Sequence, residues 1–179
     1  MCGIIAVVRG AGSRATLDPQ TVTGPLHEAV AALASSGSLA EDCDRAAAQV
    51  ETVDRILRRT DGVGALIHRR QLLGEVKGLT GALGDAVAEI EARLDSGSAD
   101  DSVDDPGTLE ATNAALIRLK DAVWAVAQDR VRTAQAVADL AGSEPAWSSV
   151  EGYTSIQQAL AAIDRLEVRG RDSAGLHVL

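Results

Sequence analysis

The chain has 179 residues, 46% of them apolar and 24% charged, which is enough for one ordinary domain with a hydrophobic core and excludes a disordered or collagen-like chain. Seventeen basic against 26 acidic residues leave a net charge of −9, a field that repels phosphate backbones and anionic lipid, so neither nucleic acid nor a membrane is an expected partner. Two Trp, one Tyr and no Phe offer no platform for stacking bases and leave the core to Ala, Leu, Val and Ile, which favours packed helices over a sandwich.

In chain order, Gly3 to Val8 form a β-branched run closed by Arg9, Gly10 and Gly12, which reads as a short buried strand. It has no basic lead-in of a signal peptide, and no apolar run is long enough to span a bilayer, so the cytoplasm is the expected address. Two cysteines, Cys2 and Cys43, do not make a disulfide framework and are expected as free thiols.

A connector from Ala11 to Gly24 leads to a short helix expected over Pro25 to Ala34, with Pro at its favoured first position. Leu39, Cys43, Ala46, Val50, Val53 and Leu57 then follow at alternating fours and threes, which puts them on one seam of a long helix. A second seam runs through Val76, Leu79, Leu83, Val87, Ile90 and Leu94. Its approach is weakened by Gly62, Gly64, Gly74, Gly78, Gly81 and Gly84, each costing about 1 kcal/mol of helix propensity against Ala.

Asp95 to Gly107 is acidic and rich in turn formers, a solvated loop by composition. Its Asp100, Asp101, Asp104 and Asp105 lack the alternation, the sixth-position Gly and the closing Glu of a calcium loop. Thr108 is a candidate N-cap for a third long helix, with Leu109, Leu116, Leu119, Val123, Val126, Val137 and Leu140 inward and Lys120, Asp129 and Arg132 outward. Trp124, between Val123 and Val126, is placed in the core. Gly142, Pro145 and a Trp-Ser-Ser segment end that helix, which leaves Trp147 and Tyr153 in a connector. Ser155 opens a last helix with Ile156, Leu160, Ile163 and Leu166 on its buried side. That helix stops at Gly170 and leads to an apolar strand over Ala174 to Leu179.

His27, His68 and His177 are too scattered for metal ligation, and no metal or cofactor is expected. The chemistry concentrates at the two ends. Removal of Met1, which the small neighbour permits, gives Cys2 both a thiol and a free α-amine. An amine of pKa roughly 7.7 to 8.0 takes the thiol proton and returns it to a leaving group without a histidine. Gly3 clears space beside the sulfur. At the other end, Arg169, Gly170, Asp172, Ser173 and Gly175 punctuate a tight polar turn between the last helix and the last strand.

Met-Cys-Gly-Ile-Ile at the start, with Ala-Ile-Asp-Arg-Leu-Glu-Val-Arg-Gly-Arg-Asp-Ser-Ala-Gly-Leu near the end, resembles the class II glutamine amidotransferases, which are N-terminal nucleophile hydrolases. The second motif is most similar to that of the glucosamine-6-phosphate synthases, the glutamine:fructose-6-phosphate aminotransferases. The resemblance implies Cys2 as nucleophile on the side-chain amide of glutamine, with ammonia passed towards fructose 6-phosphate. It gives Gly3, Arg169, Gly170, Asp172, Ser173 and Gly175 positioning roles beside the sulfur.

It covers residues 1–10 and 155–179 alone, the start of an incomplete α+β nucleophile-hydrolase domain. Residues 11–154 then read as a mostly α insertion, an antiparallel bundle or long hairpins between the first strand and first helix of that domain, with the acidic loop at 95–107. Charge supports the division, since residues 11–154 carry a net −10 and the flanks +1. The family's glutamine-binding residues and Asn-Gly oxyanion hole follow the Arg-Gly turn. A piece without them is expected to be inactive alone, because an oxyanion hole contributes about 3 to 4 kcal/mol. The rival reading is a helical interaction or homo-oligomerisation module whose terminal motifs are remnants.

Overall fold

The computed structural model describes residues 6–7, 16–35, 37–96, 106–142 and 144–166, with backbone alone at 106 and 164–166. The described residues are helical and contain no strand. Of the expected first strand only Ala6 and Val7 are described, and neither belongs to a regular element. The expected strand at 174–179 and the acidic run with Asp100, Asp101, Asp104 and Asp105 lie outside the described residues.

The helices are α1 (Gln20–Leu33), α2 (Leu39–Leu57), α3 (Thr60–His68), α4 (Arg70–Asp95) and α5 (Pro106–Trp124). A π-helical turn (Ala125–Val131) joins α5 to α6 (Arg132–Ala141), and α7 (Trp147–Leu166) follows. α1, α2, α5 and α4 pack in that cyclic order around one core. α1 returns along α2 through a short connection. Lys120 of α5 reaches Glu91 of α4 at 2.6 Å, while Arg118 meets Asp44 and Glu51, and Arg130, further along the same rod, meets Asp54. Partner numbers that rise together make α2 and α5 parallel, so two antiparallel hairpins lie side by side.

The rod formed by α5, the π turn and α6 is 36 residues long, about 54 Å at 1.5 Å per residue, and overruns α2, whose 19 residues span about 28 Å. α3 and α7 cover that overhang, packing on α6 and on each other. Both the segment before Leu39 and the segment after Gly142 therefore fold back along the long helices.

Both expected seams are buried. Cys43, Ala46, Val50, Val53 and Leu57 are fully enclosed, as are Val76 and Leu83, with Val87 and Ile90 nearly so. Leu39, Leu79 and Leu94 pack partly buried at the margins. Buried Thr80, Thr112 and Thr154 stay satisfied because each hydroxyl donates to the carbonyl four residues earlier, at 2.8, 2.8 and 2.6 Å.

Several expected boundaries move, each for a local reason. α1 starts five residues before Pro25, because Asp18 and Pro19 are the start signal: Gln20 N donates to the Asp18 carboxylate at 3.0 Å, and Pro19 needs no amide partner there. Pro25 lies inside the helix. The third long helix begins at Pro106, ahead of Thr108, by the same first-turn tolerance of proline. α7 begins at Trp147, so Trp147 and Tyr153 are helical and Ser155 lies in its third turn. Leu109, Leu140, Leu160 and Trp124, expected inward, are 42%, 49%, 42% and 57% exposed. Val123 takes the core position, and Trp124, about 100° further round the helix, falls outside the buried face.

The glycines divide into two kinds. A Cβ on Gly64 would lie 2.3 Å from the Trp147 ring, and one on Gly62 would lie 2.4 Å from the Ile56 carbonyl oxygen, so α3 uses both for close approach. Gly74, Gly78, Gly81 and Gly84 face open space within α4. Packing of Val76, Leu83, Val87 and Ile90 holds α4 helical in spite of them. Gly74→Ala and Gly78→Ala should each stabilise the chain by about 0.5 to 1 kcal/mol, whereas Gly64→Ala should destabilise it by at least about 1 kcal/mol. Urea unfolding monitored by circular dichroism separates the two kinds.

Candidate functional site

The π turn organises the described surface. Along the rod the buried residues run Thr112, Ala115, Leu116, Leu119, Ala122, Val123 and Val126, then skip five to Val131 before Ala134 and Val137. An unbroken α-helix would give the core-facing place after Val126 to Asp129 or Arg130. The extra residue of a π turn returns Val131 to the core and leaves Asp129 and Arg130 at its edge.

Arg130 meets a prepared partner there. Asp54, 8% exposed near the end of α2, receives Arg130 Nε on Oδ1 at 2.7 Å and Arg58 Nη2 on Oδ2 at 2.5 Å. Arg130 Nη2 also lies 3.9 Å from Asp129. One carboxylate held by two guanidinium groups fixes the end of α2 against the π turn. Beside it opens a cleft of about 360 Å³. Its polar walls are Arg58, Asp129, Arg130, Thr133, Gln157 and Gln158, and Ala161 and Ala162 of α7 form a shallow apolar side. Both charge signs and two amides line the cleft, so its chemistry suits hydrogen bonding to a polar group.

The expected catalytic constellation is not part of this cleft. Cys2, Gly3, Arg169, Gly170, Asp172, Ser173 and Gly175 all lie outside the described residues, as does His177. The structure therefore brings none of them together. α7 carries the beginning of the second motif as helix as far as Leu166, with Ala162 on the cleft wall and Ile163 partly buried.

The other cysteine is described and has the opposite character. Cys43 is fully enclosed on α2, and burial pushes its thiol above the ordinary range, with the Asp42 and Asp44 charges adding to the effect. It is a poor thiolate source. His27 and His68 are exposed, and His68 packs its ring 5.3 Å from that of Trp147. Among the described residues no group of three His, Cys, Asp or Glu is placed to hold a metal ion, and no helix is long and apolar enough to cross a membrane.

Reading the sequence by residue type missed the Asp54–Arg130 pair, although one signal was present. Val126 and Val137, eleven residues or three turns apart, lie on one face of a regular helix, but the next place on that face after Val126 falls to Asp129 or Arg130, an apolar gap. Val131, five residues after Val126, fills it only if the helix widens.

Asp54→Ala should cost about 2 to 3 kcal/mol, since it removes charge-assisted bonds and leaves the largely buried Arg130 only its 3.9 Å approach to Asp129. Thermal or urea denaturation measures it. Arg118 gives a contrasting outcome. Its hydrogen bonds to Glu51, at 2.7 and 2.8 Å, hold that carboxyl below its ordinary value; desolvation opposes the shift, and the charges of Arg118 and Arg55 reinforce it. A depressed folded value contributes stability above the unfolded carboxyl range, and that contribution is lost as pH falls through the folded value. Arg118→Gln should therefore flatten the decline in stability below about pH 4.5 while costing under about 1 kcal/mol near neutrality, because the pair is solvent-exposed.

Comparison of the chain with protein-family models, with curated proteins and with solved structures finds no match.

Proposed function

We propose that the chain is part of a glutamine amidotransferase of the glucosamine-6-phosphate-synthase kind, with Cys2 as the nucleophile and the helical body as an insertion. The observation that carries this reading is the pair of motifs in the family's order, Met1 to Ile5 and Ala162 to Leu176. Together with their flanks they span some 35 residues, split by the long helical segment.

The chemistry follows from Cys2 itself once Met1 is removed. The α-amine takes the thiol proton, and the sulfur attacks the side-chain amide carbon of glutamine. The protonated amine then returns the proton to the departing nitrogen. The C–N bond breaks as the C–S bond forms, ammonia leaves, and water releases glutamate from the thioester. Arg169 and Asp172 act in this reading as positioning residues, with Gly3, Gly170, Ser173 and Gly175 keeping the surroundings of the sulfur small. Fructose 6-phosphate is the acceptor that the second motif's likeness favours, on domains outside these residues. Continuity of α7 from the Trp147 packing site into the second motif supports the idea that the helical body and that motif act as one mechanical unit.

A second reading, an interaction or oligomerisation module, is favoured by Ile117 and Trp124, which lie seven residues apart on α5 and are 61% and 57% exposed. A diazoketone analogue of glutamine separates the two readings when applied to the protein as made from its native gene. The amidotransferase reading predicts one covalent adduct, located by peptide mass analysis on Cys2, with Cys43 unmodified in the folded protein. Absence of an adduct on Cys2, with the protein folded, defeats it.

A further inference from the structure

The side of the π turn facing away from the Asp54 cleft forms a second groove, against α4. We propose that this groove binds a small organic dianion, a phosphate monoester or a dicarboxylate, independently of the amidotransferase reading.

The charge arrangement carries the argument. Most described basic side chains already have a partner: Arg45, Arg58, Arg59, Arg118, Lys120 and Arg130 in ion pairs, Arg55 on the Thr52 hydroxyl and Arg69 on the Leu17 carbonyl. Among the described residues Lys77 of α4 and Arg132 of α6 have none, and both line this one groove. No carboxylate lines it. In a chain of net charge −9, where long-range attraction for anions is absent, two uncompensated cations facing one concavity form a local reversal of sign.

The rest of the groove has the matching chemistry. Gln128 and Gln135 supply amide donors and acceptors on the rod side. The floor is apolar or already satisfied: Val131 is 4% exposed, and the Thr80 hydroxyl donates to the Val76 carbonyl at 2.8 Å. Gly81 adds no side chain, and a Cβ there would meet nothing within 4 Å, so the wall remains open to a ligand. The volume, about 440 Å³, falls within the range of small-molecule sites, roughly 300 to 1,000 Å³. A π turn forms one wall, and such turns recur at functional sites. Lys77 supplies a point charge and Arg132 a planar fork, the pair that suits doubly charged oxyanions.

The probes are inorganic phosphate and malonate, added at constant ionic strength held with sodium chloride, with thermal unfolding as readout. Phosphate at about a hundred times its Kd should raise Tm by roughly 5 to 10 °C, and above Kd the rise should grow with the logarithm of phosphate concentration. Lys77→Gln with Arg132→Gln should abolish the rise and leave the unliganded Tm almost unchanged, because neither side chain has a partner to lose. Arg70→Gln with Arg93→Gln removes two other unpartnered cations away from the groove and should leave the rise intact. A rise with either probe that follows this logarithmic dependence and is lost only in the first double variant supports the site, the responding probe assigning phosphate or carboxylate. No rise with either probe, or an equal rise in both double variants, overturns it.

Discussion

Asp54 is the point on which the described structure turns. It sits where α2 ends and the long rod continues, and an unpaired carboxylate at that depth would be costly to bury. Arg130 compensates it only because one additional residue in the helix puts the guanidinium at the core's edge while Val131 replaces it inside. The same widening orients Asp129, Arg130 and Thr133 to one cleft and Gln128, Arg132 and Gln135 to the groove on the other side. Both concave surfaces, and the docking of α3 and α7 beyond the end of α2, thus depend on one local change of helical register.

The bundle itself has a simpler origin. With no Phe and three aromatic residues in all, the core interlocks Leu, Val and Ala, whose small volumes let four helices lie close without bulky spacers. Tyr153 packs partly buried against that core, and Trp147, seated on α3, needs a glycine opposite. Its ring occupies the space a side chain on Gly64 would take, which ties the first turn of α7 to α3.

Much of this was legible. Leu39 to Leu57 and Val76 to Leu94 keep a clean fours-and-threes spacing, and their seams are buried as that spacing requires. Pro25 has the character of an opening residue, but Asp18 and Pro19 already supply a cap and a tolerated proline, so α1 starts earlier. By residue type Trp124 belongs in the core, but Val123 holds the inward place and the indole faces outward. Gly64 looked like a helix weakener, since its partner Trp147 lies more than eighty residues away and only tertiary packing shows the need. The candidate catalytic residues differ in kind. Cys2 and the Arg169 to Gly175 turn were legible as motifs, because their chemistry is local and requires no fold to recognise.

The functional account rests on the α-amine of Cys2, since a thiol without a neighbouring base near neutral pKa stays largely protonated. The most direct measurement is the amino-terminal residue of the protein made from its native gene, read by intact mass and terminal fragmentation. The account predicts that Met1 is absent and Cys2 carries a free amine. Retention of Met1, or an acylated Cys2, would contradict it, because a blocked nitrogen cannot accept the thiol proton.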